Sequence, residues 1–405
     1  MTTRTVDAVI AFVLTLAVAF AIAMADREAH PIGWQADTSV VKAEPGRVGP
    51  KHVAAPSVAP GTHVAHSFDV VVAHIYRTAA QVPAPPASER PGRAAVDSVL
   101  AKSAQWWSDN TGLVFDFSHN TRYAAINTTC RTLEKDAFAA MGETYGEKTY
   151  GQTGRDLLIL QAGTSCGYYA GVTITPAPEG DVYRGGIFEV AIGAWDGSAG
   201  SDEEWAVLRV AHEFGHTIGL EHANMMDCAW TVGGSLGLSS WECEEKEYGD
   251  KSNLMGGGSV NRGGPGPDPV GLNSLQMWWI GAGGRDVAIV SERGTSTIRI
   301  ARTDLIGTPY PRGVVVDAPD GPFIGALQLR PADGFTYRET GVYLTIGDSR
   351  DWGLATIVAP RPRGMDPANA GPMGAGSRYL SDDGRVSLSI VSAGDYGAVV
   401  SVTIG

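Results

Sequence analysis

The stretch AHEFGHTIGLEH, residues 211–222, limits this chain more than any other feature. It sets three histidines four and then six positions apart, with Glu213 after the first and Gly219 between the last two. On a helix His212 and His216 are one turn apart and offset by about 40°, so both rings leave the same face. A helix cannot bring a third ring to that face six residues later. Gly219 resolves the conflict, because it can take the left-handed conformation that ends a helix and turns the chain. His222 then swings back towards the other two. The stretch therefore demands a helix that stops at a glycine and a loop that returns at once.

The helix is well signalled. Ser201 with Glu204 three residues on makes a capping box, which predicts a start near Asp202, and Val207, Val210, Phe214 and Ile218 supply the buried side. Three imidazoles converging from a helix and its exit turn make a zinc site with an open fourth position, the arrangement of a catalytic rather than a structural ion. Glu213, next to a ligand, is placed to hold a water whose pKa zinc lowers. It takes the proton as the oxygen attacks a carbonyl and hands it to the departing amine. That chemistry is peptide hydrolysis. A bare HExxH arises by chance in a chain of this composition roughly once in a hundred. The added glycine and third histidine lower this to about a few in a hundred thousand, which sets aside a pair of ordinary surface histidines. The other histidines, His30, His52, His63, His66, His74 and His119, lie upstream without ligand-like spacing and read as surface or linker residues.

The formal charge of -13 argues against a nucleic-acid partner, since a phosphate-tracking surface is normally basic. Residues 8–25 form an unbroken apolar run after Arg4, and Ala23-Met24-Ala25 gives the small-x-small pattern that signal peptidase accepts. Residues 1–25 thus read as a signal peptide, and the protein as secreted. The alternative is a retained anchor facing outside, because the run is just long enough to span a bilayer. Export allows disulfides among Cys130, Cys166, Cys228 and Cys243. Nearest-neighbour pairing, 130 with 166 and 228 with 243, is the expectation out of three possible pairings.

Residues 26–65 lack periodicity and read as a linker or pro-segment. A catalytic domain is expected over 66–284. Strands are expected at 68–76, 113–117, 156–162 and 186–195, and a helix presents Val96, Val99, Leu100, Ser103 and Trp107 on one face. Residues 272–282 read as a closing helix. Over 285–405, short β-rich segments separated by Gly, Pro and Asp predict a β-sandwich-like domain with no chemistry of its own. Glu242, Glu244, Glu245, Glu247 and Asp250 form an acidic cluster that reads first as a solvated face and second as a calcium site.

The motif from His212 to His222 resembles the zinc signature of the metzincin metallopeptidases. That resemblance implies an α+β zincin fold over about 68–284: a twisted mixed sheet with helices, a zinc helix and a downstream "Met-turn" beneath the metal. SNLMGG, 252–257, is the candidate turn, with Met255 as its methionine. EYGDKSNLMGG and GALQLRPADGFTYRETGVYLTI are similar to the gametolysin family. The resemblance also implies an exposed edge strand that pairs with substrate backbone, and 186–195 is the candidate. Some metzincins carry a tyrosine two residues after the methionine; here that position is Gly257, so no such role carries over, and no spacing rule speaks for Tyr248. No cysteine precedes Cys130, so latency through a pro-segment cysteine is absent.

The expected function is a secreted zinc-dependent endopeptidase acting on protein or peptide substrates, with membrane contact only if the N-terminal segment is retained. The alternatives are a non-catalytic binding or adhesion protein on a zincin scaffold, and a zinc amidase acting on cell-wall peptides.

Overall fold

The computed structural model describes residues 40–43, 63–76, 91–127, 132–142, 155–163, 171–174, 186–193, 201–230, 237–238, 243–250, 253–256, 271–281, 287–305, 308–318, 324–330, 340–347, 355–362, 372–381 and 384–405. The described residues are mixed α/β, with three sheets and few helices. The N-terminal apolar run, Cys130, Cys166 and Gly257 lie outside the described residues. Among the described residues no helix is long and apolar enough to cross a membrane.

A short strand β1 (Val40–Ala43) interrupts the stretch expected to be a linker. The first large element is β2 (His63–Tyr76), which leads through helix α1 (Arg93–Thr111) to β3 (Val114–Asn127). Helix α2 (Leu133–Met141) then leads to β4 (Arg155–Gly163), β5 (Gly171–Ile174) and β6 (Gly186–Gly193). These strands form a five-stranded sheet in the order β3-β2-β4-β6-β5, parallel except for β5. Parallel strands must be covered on both faces, and β2 is apolar on both: Phe68, Val70 and Val72 face one way, Val71, Ala73 and Ile75 the other. The first set packs with α1 and with helix α3 (Ser201–Thr217), which carries His212 and His216; the second packs with Leu133, Ala137 and Phe138 of α2.

Two expectations change here. Of the strand expected at 186–195, residues 186–193 form β6, interior to the sheet between β4 and β5, so among the described residues the sheet ends at β3 and β5. An apolar strand reads alike at an edge or inside, and only its neighbours decide. His66 and His74 are buried core residues, not surface ones. Nε2 of His66 lies 2.7 Å from Asp156 Oδ2, among Phe68, Phe117 and Phe214. His119 pairs with Asp97 at 2.6 Å.

Beyond α3 the chain enters a seven-stranded sheet directly. Strand β7 (Ala223–Trp230) starts one residue after His222. A two-residue strand β8 (Gly237–Leu238) follows, then β9 (Cys243–Lys246), helix α4 (Ser274–Trp279) and β10 (Val287–Val290). The remaining strands are β11 (Gly294–Ala301), β12 (Gly313–Asp317), β13 (Ile324–Arg330), β14 (Gly341–Gly347), β15 (Ala355–Pro362), β16 (Arg378–Leu380), β17 (Val386–Ala393) and β18 (Gly397–Ile404). One sheet runs β10-β12-β13-β14-β15-β7-β9, the other β11-β18-β17-β16-β1-β8. A single apolar cluster joins them, with Val314, Val316, Leu327 and Leu344 from the first and Leu388, Ile390, Val400 and Val402 from the second.

Strand pairing crosses the division expected at 284/285. β15 pairs in parallel with β7 over eight residues, from Ala355 opposite Ala223 to Pro362 opposite Trp230. Helix α4 is shorter than the expected 272–282. Asn273 and Gln276 close its N-terminus in a capping box, and its tryptophans pack in one cluster with Val315, Ala326 and Ala355 on the sheet side and with Phe214 and Met255.

Candidate metal centre

Helix α3 is held from beneath by α1. Trp107 Nε1 donates to the Ala211 carbonyl at 3.1 Å, Ser103 Oγ donates to the Val207 carbonyl at 3.0 Å, and Lys102 Nζ reaches Glu203 at 2.7 Å. The partners advance together along both chains, so the two helices run side by side in the same direction. Val207, Val210 and Phe214 are buried, and Ile218 packs against the same core. The helix ends at Thr217, and Gly219 has φ 93°, the left-handed turn that the third histidine requires.

His212, His216 and His222 come together. Each offers one nitrogen to a group whose members all lie within 4.8 Å of one another. The other nitrogen of each ring is engaged outward. Nδ1 of His212 donates to the Leu254 carbonyl at 2.7 Å, and Nδ1 of His216 to the Leu220 carbonyl at 2.7 Å. Nδ1 of His222 lies 2.8 Å from Glu247 Oε1. A carbonyl can only accept, so Nδ1 carries the proton in the two helical histidines and Nε2 keeps its lone pair for the centre. A shift of under roughly 1 Å per ring brings three such nitrogens to zinc–nitrogen bond length. The donor set fits a small, borderline-soft cation such as zinc.

Burial tunes these groups. It pushes His212 down to about 4, which keeps the ring neutral and able to bind a cation; the bond to Leu254 opposes this and the nearby His222 adds to it. Burial also lowers His222, against the raising influence of Glu247. Glu213 is buried, with Oε1 3.9 Å from His212 Nε2. Burial pushes its carboxyl up to about 8, and the charge of Arg209, one turn earlier, pulls it back.

Met255 sits in a turn formed by Asn253–Gly256 and is fully buried. Its sulfur lies against Gly215, between the two helical histidines, where a Cβ would overlap it. Asn253 Oδ1 accepts from Met255 N–H at 2.9 Å within the turn. Two contacts bind the turn to the chain around the triad: Met255 O accepts from Ala223 N–H at 2.7 Å, and Leu254 O accepts from His212.

Glu245 and Glu247 of the acidic stretch are exposed, as the solvated-face reading expects, but both have partners, and Asp250 is buried. Glu247 meets His222, Glu245 accepts from Asn224 Nδ2 at 3.0 Å and from Thr356 Oγ1 at 3.3 Å, and Asp250 is buried, 3.9 Å from Arg330 Nη2. Glu242 and the side chain of Glu244 lie outside the described residues. Among the described residues no group of three converging acidic donors forms there. Tyr248 was silent in the sequence. Its ring centroid is 3.8 Å from that of His222, and its φ of 57° is the one positive value at a non-glycine among the described residues. No spacing rule ties positions 247 and 248 to His222, so only the return of β9 beside β7 brings them there.

No family model matches the chain, and no curated protein is similar to it in sequence. Among solved structures, wild-type OgpA from Akkermansia muciniphila is similar at 11% identity over 75% of this chain and 94% of that one, with a TM-score of 0.26. So slight a likeness bears on neither fold nor function.

Proposed function

We propose that the chain is a secreted zinc-dependent endopeptidase that resembles the metzincins and, among them, the gametolysin family. The observation that carries this reading is the convergence of His212, His216 and His222, with the buried carboxyl of Glu213 beside them. The turn at Met255, packed under the helical histidines, supports the finer reading of 66–284 as a zincin-like catalytic part.

His212, His216 and His222 would hold the ion. Zinc, when bound, supplies Lewis acidity and brings the pKa of water towards neutrality. The rest of the chemistry belongs to the chain. Glu213 takes the proton of the attacking water and returns it to the departing amine, and a buried carboxyl of raised proton affinity suits a group that must do both. The carbonyls of Leu254 and Leu220 hold two of the rings in the tautomer that leaves Nε2 free. An extended substrate would add to the sheet at β5, which stands at the end of its strand order and runs antiparallel to β6.

The test is a pair of measurements on purified protein. Metal analysis is expected to find one zinc per chain, and Glu213→Ala is expected to keep that zinc while losing hydrolysis of a denatured protein. Full hydrolysis by the variant removes Glu213 from the chemistry, and a wild-type chain with no bound transition metal ends the reading.

A further inference from the structure

His222 differs from the other two histidines in how it is held. His212 and His216 are fixed by a buried helix and donate to backbone carbonyls. His222 lies outside any helix or strand, its side chain 22% exposed. Backbone alone does not set its ring. Besides the rings of His212 and His216, two consecutive residues after β9 meet it: the Glu247 carboxylate at Nδ1, and the Tyr248 ring at 3.8 Å between centroids with 38° between planes.

We propose that Glu247 and Tyr248 clamp the ring of His222 as positioning residues for the metal, and that β15, from the C-terminal part of the chain, holds the clamp in place. The proposal rests on the reading of the three histidines as a zinc site.

The backbone is held in an unfavourable state to make this contact. A left-handed tyrosine persists only where its surroundings over-determine it, and such residues gather at functional sites. The surroundings here are specific. Asn224 Oδ1 accepts from Tyr248 N–H at 3.1 Å. Gly249, the next residue, is pressed so closely on β7 that a Cβ would come within 2.9 Å of the Met225 nitrogen and 2.8 Å of the Lys246 carbonyl. Glu245 on β9 accepts from Asn224 on β7 and from Thr356 on β15. Asn224 and Thr356 are themselves opposite one another in the sheet. A continuous set of contacts thus runs from Thr356 through Glu245, Asn224 and Tyr248 to His222. The Glu247 side chain is 66% exposed, so its bond alone would be weakened by solvent, and the ring of Tyr248 supplies the second constraint. Carboxylates that orient ligating histidines typically change metal affinity by about 10–100-fold when removed.

The experiment measures zinc affinity of the full chain by competition with a chromophoric chelator, and the absorption spectrum of the cobalt-loaded protein. Glu247→Ala is expected to weaken zinc by about 10–100-fold and to alter the cobalt spectrum, with Glu247→Gln, which keeps an acceptor, recovering most of the loss. Tyr248→Asn tolerates the same backbone but lacks the ring, and is expected to weaken zinc about tenfold, while Tyr248→Phe stays within about threefold. Thr356→Val, far from the ion, is expected to weaken zinc about threefold or more with the circular dichroism unchanged. Zinc binding within about threefold of wild type in both Glu247→Ala and Tyr248→Asn overturns the clamp. A silent Thr356→Val overturns the role of β15. Failure of the wild-type chain to bind zinc overturns the metal centre itself, whereas zinc binding without proteolysis leaves the clamp standing and removes only the peptidase.

Discussion

Nδ1 of His212 lies 2.7 Å from the carbonyl oxygen of Leu254, so the turn that carries Met255 also sets the tautomer of a histidine 42 residues earlier. The same turn presses the Met255 sulfur onto Gly215. The orientation of His212 and the packing of the core are thus one feature.

Gly215→Ala should destabilise the protein, although alanine normally strengthens a helix interior by about 1 kcal/mol. The added methyl meets a fully buried methionine, and overpacking of this kind costs about 1–3 kcal/mol. In a Met255→Ala background the same substitution should cost less. Denaturant unfolding of the four proteins in the cycle measures the coupling, and simple additivity would show that the two residues do not compete for space.

Removing metal should lower thermal stability without unfolding the chain at room temperature. An ion bound only by the native state adds about 2.7 kcal/mol at free zinc 100-fold above Kd. Calorimetry with and without chelator reads the difference, and His216→Ala should abolish it. A melting temperature indifferent to both zinc and chelator would count against the triad as a metal site.

Stability should fall with rising pH through Glu189. Burial, with Glu134 adding to it, pushes this carboxyl up to about 7. An unfolded chain releases the proton near the ordinary carboxylate value, so between about 4.5 and 7 the native state holds more protons than the unfolded state. Stability therefore decreases as pH rises through that window. Glu189→Gln should match wild type near pH 4 and melt at a higher temperature at pH 8. Parallel melting curves across that range would show that Glu189 ionises as an ordinary surface acid.

Asp156→Ala should be among the most damaging changes away from the histidine triad. Oδ1 of Asp156 accepts from the Gly186 amide at 2.7 Å, and Oδ2 lies 2.7 Å from His66. Two buried groups lose their acceptor at once, at about 1–3 kcal/mol each. Equilibrium unfolding checks it, and a loss below about 1 kcal/mol would mean that water or another group replaces the carboxylate.

Cys228 and Cys243 should be joined. They stand opposite one another in the antiparallel pair β7–β9, and Cα atoms so placed are about 4.5–5.5 Å apart, within the range a disulfide spans. Peptide mapping of the purified protein without reduction should recover the linked pair. Recovery of both as alkylated free thiols would exclude the bridge.

Much of the centre is legible in the sequence because it is local. His212 and His216 share a face by helical period, Gly219 alone can turn the chain back, and Met255 stands in a glycine-rich turn shortly downstream. The buried face of α1, from Val96 to Trp107, follows from the same periodicity. Other features had no such signal. The apolar run of β6 is equally suited to an edge or an interior place, and its position depends on β5 pairing beside it. His66 looks like any isolated histidine until Asp156, 90 residues on, is brought against it.

The sequence by itself determined that three imidazoles and a carboxylate meet at the end of one helix, because 3.6 residues per turn and a single glycine leave the backbone little choice. Only the tertiary structure decided what holds the third ring. Glu247 and Tyr248 reach it through the pairing of β9 with β7, and Thr356 backs them through the pairing of β7 with β15, more than 100 residues on; no local periodicity encodes which strands pair.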